Sequence, residues 1–186
     1  MKRMPPIPLD AMSGAQREVY DRIVSGPRGH IGGPHWSWLR SPPLAEAAQA
    51  YGRYCRFETQ VPPRLIEIAI LVTAVHWRAR LEWDLHVPVA TRLGLPAEAI
   101  EAIRLGRDPG FADPAERAAH AFCRELLGDR RVAAATYDAL LAALGEPAAA
   151  ELVGILGYYA LVSMTIVAFE VPTTGEGPDP FPAPGA

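Results

Sequence analysis

The sequence predicts an all-α, single-domain helical bundle, and three observations carry that prediction. Apolar residues recur at spacings of three and four through most of the chain. No segment shows the strict alternation of a half-buried strand. Gly, Pro and Asp punctuate the sequence at intervals that bound ordinary helices. With 186 residues the chain matches one domain with a real core.

The elements follow in order. Residues 1–12 carry three prolines and residues 172–186 are rich in Pro and Gly, so both ends are expected to be flexible, leaving 13–171 as the folded domain. Ser13 is placed to cap a first helix running to Ile23. Residues 25–34 are Gly- and Pro-rich and read as a loop ending in HWSWLR. Ser41, Pro42 and Pro43 open a helix to about Phe57, and Pro62 and Pro63 open the next, RLIEIAILVTAVHW, because proline is tolerated where helix amides lack partners. Residues 66–75 are β-branched, but the length of the segment favours a buried helix. RLEWDLHVPVATRLG ends at a glycine stop, Gly94. Helices are then expected over 96–105, 114–127, 132–144 and 148–169.

Composition excludes several classes of function. A net charge of −3 without a basic stripe argues against nucleic acid as a partner. Cys55 and Cys123 stand far apart, in neither a CxxC nor a metal-ligand cluster, so reduced thiols are expected. The first residues show no secretory signal, and a cytoplasmic location is expected. Residues 152–169 form 18 uncharged residues, the lower limit of a membrane span. Gly154, Gly157, Tyr158, Tyr159, Ser163 and Thr165 interrupt that run and no Lys/Arg flanks it, so it reads as a helix at a bundle centre or subunit interface.

The densest polar cluster in an apolar region is Glu67, His76, Trp77, Glu82, Trp83 and His86. Glu82 and His86 stand at i and i+4, on one helix face. A carboxylate beside an imidazole fixes its tautomer and charge and makes a serviceable general acid or base. Glu67, one helix earlier, reaches the same pocket if the two helices pack against each other. The same i,i+4 pattern also occurs on solvated faces, where it stabilises by only a few tenths of a kcal/mol. His76, Glu82 and His86 fit no recognised zinc spacing, and no metal is expected.

Residues 63–104, PRLIEIAILVTAVHWRARLEWDLHVPVATRLGLPAEAIEAIR, resemble the core of the carboxymuconolactone decarboxylase and alkylhydroperoxidase-D superfamily, with weaker support from GYYALVSMTIVAFEVP. In its redox members a Glu is followed twelve residues on by CxxC, with a His four residues after the second Cys. Laid on this chain, Glu67 takes the glutamate position, Ala79 and Glu82 the two cysteine positions, and His86 the histidine position. Both thiols are absent, which argues against peroxide reduction by dithiol chemistry. The remaining pattern, Glu82, Trp83 and His86, resembles the decarboxylase-like branch. The resemblance implies an AhpD-like bundle assembled as a trimer or hexamer, and a cofactorless lyase acting on a small carboxylated lactone or related acid. His86 is then the general acid/base, Glu82 its orienting partner and Glu67 a second proton-transfer or structural carboxylate. His76, Trp77, Trp83, Arg78 and Arg80 are candidates for substrate contacts. His35, Trp36 and Arg40 of HWSWLR either form a lid or pack under a loop. Two other readings use the same residues: another cofactorless proton-transfer enzyme, an isomerase or hydrolase, and a noncatalytic assembly protein whose polar network fixes helix packing.

Overall fold

The computed structural model describes residues 3–27, 29–173, 175 and 177–181. Among them there are helices and no strands. After a short 3-10 turn (Leu9–Ala11) come α1 (Gly14–Ser25), α2 (His35–Trp38), α3 (Pro42–Phe57), α4 (Pro63–Trp77), α5 (Arg80–Arg92), α6 (Ala97–Arg104) and α7 (Pro114–Arg124). A π-helical turn (Glu125–Asp129) leads to α8 (Ala134–Phe169). Gly145, at φ 73°, divides α8 into two rods, close to the division expected between residues 144 and 148.

Caps and prolines start the helices where the sequence places them. Ser13 accepts from the Gln16 amide while its own amide donates to the Gln16 side chain, a reciprocal capping box. Asp113 accepts from the Ala115 amide at 2.7 Å. Pro42 and Pro63 occupy first-turn positions whose missing N–H has no helical acceptor.

Helix α4 is the axis of the bundle. Every residue from Leu65 to Ala74 is buried, and α5, α6, α7 and α8 all pack on it, which is why its apolar residues run around the helix instead of along one stripe. The helix ends at Arg78, which adopts the left-handed conformation (φ 53°). With only Arg78 and Ala79 between α4 and α5, that turn folds α5 back along α4.

Helix α8 is long and apolar enough to cross a membrane by length and composition. Here it packs along α4, α7 and α3 as a core helix. Trp38 of α2 donates its indole N–H to Thr165 at 2.9 Å, and Tyr51 of α3 donates to the Gly154 carbonyl at 2.8 Å.

Two expectations are corrected. HWSWLR does not continue the preceding loop: its first four residues form α2, because the apolar faces of Trp38 and Trp36 are covered by α8 and by Tyr20. Nor do the described terminal residues stand free. Ile7 is buried, Arg3 pairs with Glu170 at 2.8 Å, and Phe181 is buried against Trp83. Arginines hold these segments: Arg40 donates to the Pro5 carbonyl, Arg104 to Pro180, and Arg78 to Phe181. The expectation of flexible ends at residues 1–2, 174, 176 and 182–186 falls outside the described residues.

Gly52 of α3 lies where Tyr158 of α8 presses closest, and a Cβ there would run into the phenol ring. Trp38, Tyr51 and Tyr159 surround that ring, so it has little room to yield. Gly52→Ala is expected to destabilise the fold by about 1–3 kcal/mol, the usual range for overpacking. Urea unfolding checks this; an unchanged midpoint would show that the α3–α8 contact relaxes freely.

Candidate functional site

The fold brings Glu67, Glu82 and His86 together: the i,i+4 spacing predicts the Glu82–His86 contact, and the packing of α5 on α4 adds Glu67. Glu67 projects from α4, and Glu82 and His86 from the first turns of α5. His86 Nδ1 lies 2.8 Å from Glu67 Oε2, and its Nε2 lies 3.0 Å from Glu82 Oε1. The imidazole is therefore clamped between two carboxylates, and all three side chains are buried. Burial on its own would push the His86 pKa down. The Glu82 charge and hydrogen bonds to Glu67 and Glu82 overcome it, and the pKa is raised to about 9. At neutral pH His86 is an imidazolium donating one N–H to each carboxylate. Glu82 also sits in the first turn of α5, where the positive end of the helix dipole favours an anion.

A cavity of about 550 Å³ opens on one side of this trio. Glu82 and His86 line it, whereas Glu67 stands behind the imidazole and does not. The walls are mostly apolar, from Leu81, Leu85, Val89 and Val162. Tyr159 of α8 stands edge-on to His86, with ring centroids 5.5 Å apart. Its hydroxyl is buried without a hydrogen-bond partner. Burial, reinforced by the Glu82 charge, holds the phenol well above its ordinary pKa, so it remains a proton donor. Arg56 of α3 brings a guanidinium to the same cavity.

The other sequence candidates divide. His35 and Trp36 line the cavity, forming part of its wall from α2. The remaining six lie outside its lining. Trp83 packs on Phe181 with ring centroids 5.6 Å apart, and Trp77 stands edge-on to His76. Arg78 and Arg80 hold the C-terminal segment, Arg80 through Asp84 and the Gly175 and Gly177 carbonyls. Arg40 holds Pro5, and His76 lies by a second cavity across α4. The physical reason is common to these corrections: α5 turns only the Leu81, Glu82, Leu85, His86 and Val89 face toward the cavity, and the arginines flanking the α4–α5 turn point the other way.

Sequence reasoning missed Arg56 and Tyr159. Arg56 sits in an unremarkable run, AYGRYCRFE, and its placement depends on how α3 crosses α8. Tyr159 carried a weak signal, as a phenol in a stretch otherwise suited to hydrocarbon. No group of three or more His, Cys, Asp or Glu suited to a metal ion occurs among the described residues. Cys55 and Cys123 are buried, and burial pushes their thiols up to about 11 and about 12, far from the thiolate that redox chemistry uses.

Residues 42–125 match the model of the carboxymuconolactone decarboxylase family. No curated protein matches the sequence. Among solved structures, the chain is similar to a peroxidase-related protein with an alkylhydroperoxidase AhpD core from Ralstonia eutropha JMP134. That likeness has 14% identity and a TM-score of 0.71, over 94% of this chain and 93% of the other. A peroxidase-related protein from Silicibacter sp. TM1040 gives 11% identity and a TM-score of 0.71, over 92% and 91% of the two chains. The debrominase Bmp8, in complex with 2,3,4-tribromopyrrole, gives 17% identity and a TM-score of 0.69, over 91% and 90%. At these identities the structural likeness speaks for the fold alone. The family match across α3 to α7 and the AhpD-like bundle around it support a likeness to the carboxymuconolactone decarboxylase/AhpD-like superfamily, in a chain without the CxxC pair.

Proposed function

We propose that this protein is a cofactorless lyase of the carboxymuconolactone decarboxylase kind, removing carbon dioxide from a small carboxylated lactone or related acid by general acid/base catalysis in the cytoplasm. The observation that carries the reading is the clamped imidazolium at the wall of an apolar cavity, with one of its two carboxylates facing that cavity.

The geometry supports an ordered set of roles. Arg56 seats the substrate carboxylate, and the Tyr159 hydroxyl donates to the lactone carbonyl oxygen. The bond between the carboxyl carbon and the ring breaks, carbon dioxide leaves, and its electron pair delocalises through the unsaturated ring onto that oxygen. Apolar walls favour loss of the anionic carboxylate as a neutral gas. Glu82 then takes a proton from His86 Nε2 through its 3.0 Å contact and passes it to carbon. Glu67 keeps the ring oriented and its charge balanced throughout, and solvent restores the proton consumed. Compared with the roles the resemblance implies, Glu82 becomes the group that meets substrate and His86 the proton reservoir behind it. An isomerase would use the same groups; the decarboxylase reading is favoured by Arg56, a cation at the wall of a mostly apolar cavity.

A homo-oligomer, trimeric or hexameric, belongs to the same proposal. Val153, Met164 and Val167 are 47%, 42% and 47% exposed, and their spacing puts them on one face of α8 with no charge between them. The protein is expected to elute at a multiple of 20.1 kDa, and Met164→Glu to shift it toward the single chain. A single-chain elution of the unaltered protein would remove this part.

With 4-carboxymuconolactone, carbon dioxide release and the ultraviolet change should fall by about 10²–10⁴ in Glu82→Gln and in His86→Ala, the range for a lost general acid. Because His86→Ala strands two buried carboxylates, the near-isosteric Glu82→Gln is the decisive variant. Activity within a few-fold of the parent, with native helical content in both, would discard the assignment.

The clamp also sets a pH dependence of stability. His86 titrates at about 9 when folded and near 6.5 when unfolded, so its stabilisation is fully present below about 6.5 and lost as pH rises through about 9. We expect the loss to amount to roughly 2–4 kcal/mol, as a shift of this size implies. Unfolding midpoints from pH 6 to 10 check this, and a profile rising across that window would contradict the clamp.

A further inference from the structure

A second cavity, of about 620 Å³, lies across α4 from the first. Val72 and His76 of α4 face it from the side of the helix away from Glu67, and Val75 from the flank. Its other walls come from α6, α7 and the π-helical turn Glu125–Asp129. Insertions that widen a helix by one residue in this way concentrate at functional positions.

His120 of α7 is the unusual group here. It is 7% exposed, lines the cavity, and its Nε2 is buried with no hydrogen-bond partner. Buried polar atoms in folded proteins are nearly always paired, with protein, water or ligand. Phe111 stands edge-on to the ring at 6.0 Å and offers no polar atom.

The charges around the cavity decide what kind of ligand it suits. Arg117 is occupied by the Phe111 and Ala112 carbonyls. Glu125 is held by Thr136 and the Ala133 amide, and Asp108 by the Gly110 amide. These bonds are to neutral groups and leave the charges in place, so Arg117 and Arg124 stand against Asp108, Glu125 and Asp129 around the cavity. Their opposed charges give an ion of either sign little net attraction. Burial and the nearby Arg124 charge hold His120 down to about 4, so it is a neutral imidazole able to donate or accept one hydrogen bond. The inner surface is Val72, Val75, Ile103 and Phe111.

We propose that this cavity binds a second small molecule, uncharged and largely apolar, with one hydroxyl oxygen that pairs with His120 Nε2: a ligand of the phenol class. The site is separate from the trio, and its occupation does not depend on the proposed lyase activity.

The test is a titration of the full chain with phenol, followed by the ring nitrogens of His120 in proton–nitrogen NMR. A saturable shift is expected, with benzene and benzoate each binding at least tenfold more weakly. His120→Leu should lose at least tenfold in phenol affinity while melting at the same or a higher temperature, since it removes an unpaired polar atom. Glu82→Gln should bind phenol as the parent does. The proposal is overturned if phenol produces no saturable shift up to its solubility, or if benzene or benzoate binds as tightly. It is also overturned if His120→Leu keeps its affinity or melts lower, or if Glu82→Gln loses binding, which would put the phenol in the first cavity.

Discussion

Three ionisable side chains, Glu67, Glu82 and His86, are withdrawn from water together, and the rest of the bundle is arranged around making that tolerable. An ion taken alone into a protein interior costs several kcal/mol. Here the imidazolium donates to a carboxylate on each side, so each charge meets an opposite one at 2.8 Å or 3.0 Å. The trio carries a net charge of −1 in that state, and the positive end of α5 lies beside Glu82. None of the three could be buried there without the others. The requirement fixes how α4 and α5 pack, because the Glu67 side chain reaches His86 only if α5 folds straight back. Arg78, a non-glycine residue held in the left-handed conformation, makes that reversal in one step. Strain of roughly 1–3 kcal/mol at such a residue persists where its surroundings over-determine it, and the contact from Arg78 to Phe181 is part of those surroundings.

The burial of α4 has a second consequence. A helix surrounded on all sides must present a wall to each neighbour, and this one backs one cavity through Glu67 and lines another directly. On one side the trio meets a cavity bounded by α2, α3, α5 and α8. On the other, Val72 and Val75 meet a cavity bounded by α6, α7 and the π-helical turn. The polar groups differ in kind. The first cavity holds a charged, fully hydrogen-bonded relay, suited to moving a proton. The second holds one neutral imidazole with an unpaired nitrogen, suited to recognition and ill suited to transfer, since a ring that protonates only near pH 4 supplies no acid at neutral pH.

Much of this was legible in the sequence, and the reasons are local. Helix starts at Ser13, Pro42 and Pro63 depend on capping and on proline's missing amide, which act within one turn. The i,i+4 spacing of Glu82 and His86 is fixed by helix geometry alone, and the buried run of α4 announces its central place. What could not be read depended on how helices cross. Arg56 reaches the cavity because α3 passes beside α8, and Arg78 and Arg80 leave it because the α4–α5 turn points them at the C-terminal segment. The prolines and glycines of residues 172–181 read as a free tail, yet the described ones are held by guanidinium contacts to backbone carbonyls. Such contacts leave no periodic trace, since any residue supplies a carbonyl.

The position of Glu82 bears most directly on chemistry. In the resemblance it stands where redox members carry the second cysteine, and the preceding position is Ala79, which is buried and offers no reactive atom. A thiol pair passes electrons by forming and breaking a sulfur–sulfur bond, and a carboxylate can do nothing of the kind. It can hold and release a proton, and it sits 3.0 Å from an imidazolium backed by a second carboxylate. The surrounding relay of carboxylate and imidazole, useful to a thiol that must be deprotonated, serves equally to reprotonate a carboxylate that has given its proton away. Having Ala79 and Glu82 at the two cysteine positions therefore changes what the site can transfer while leaving the carboxylate–imidazole relay in place. That is the physical ground for reading this fold as acid/base machinery even where structurally similar proteins carry peroxidase-related names.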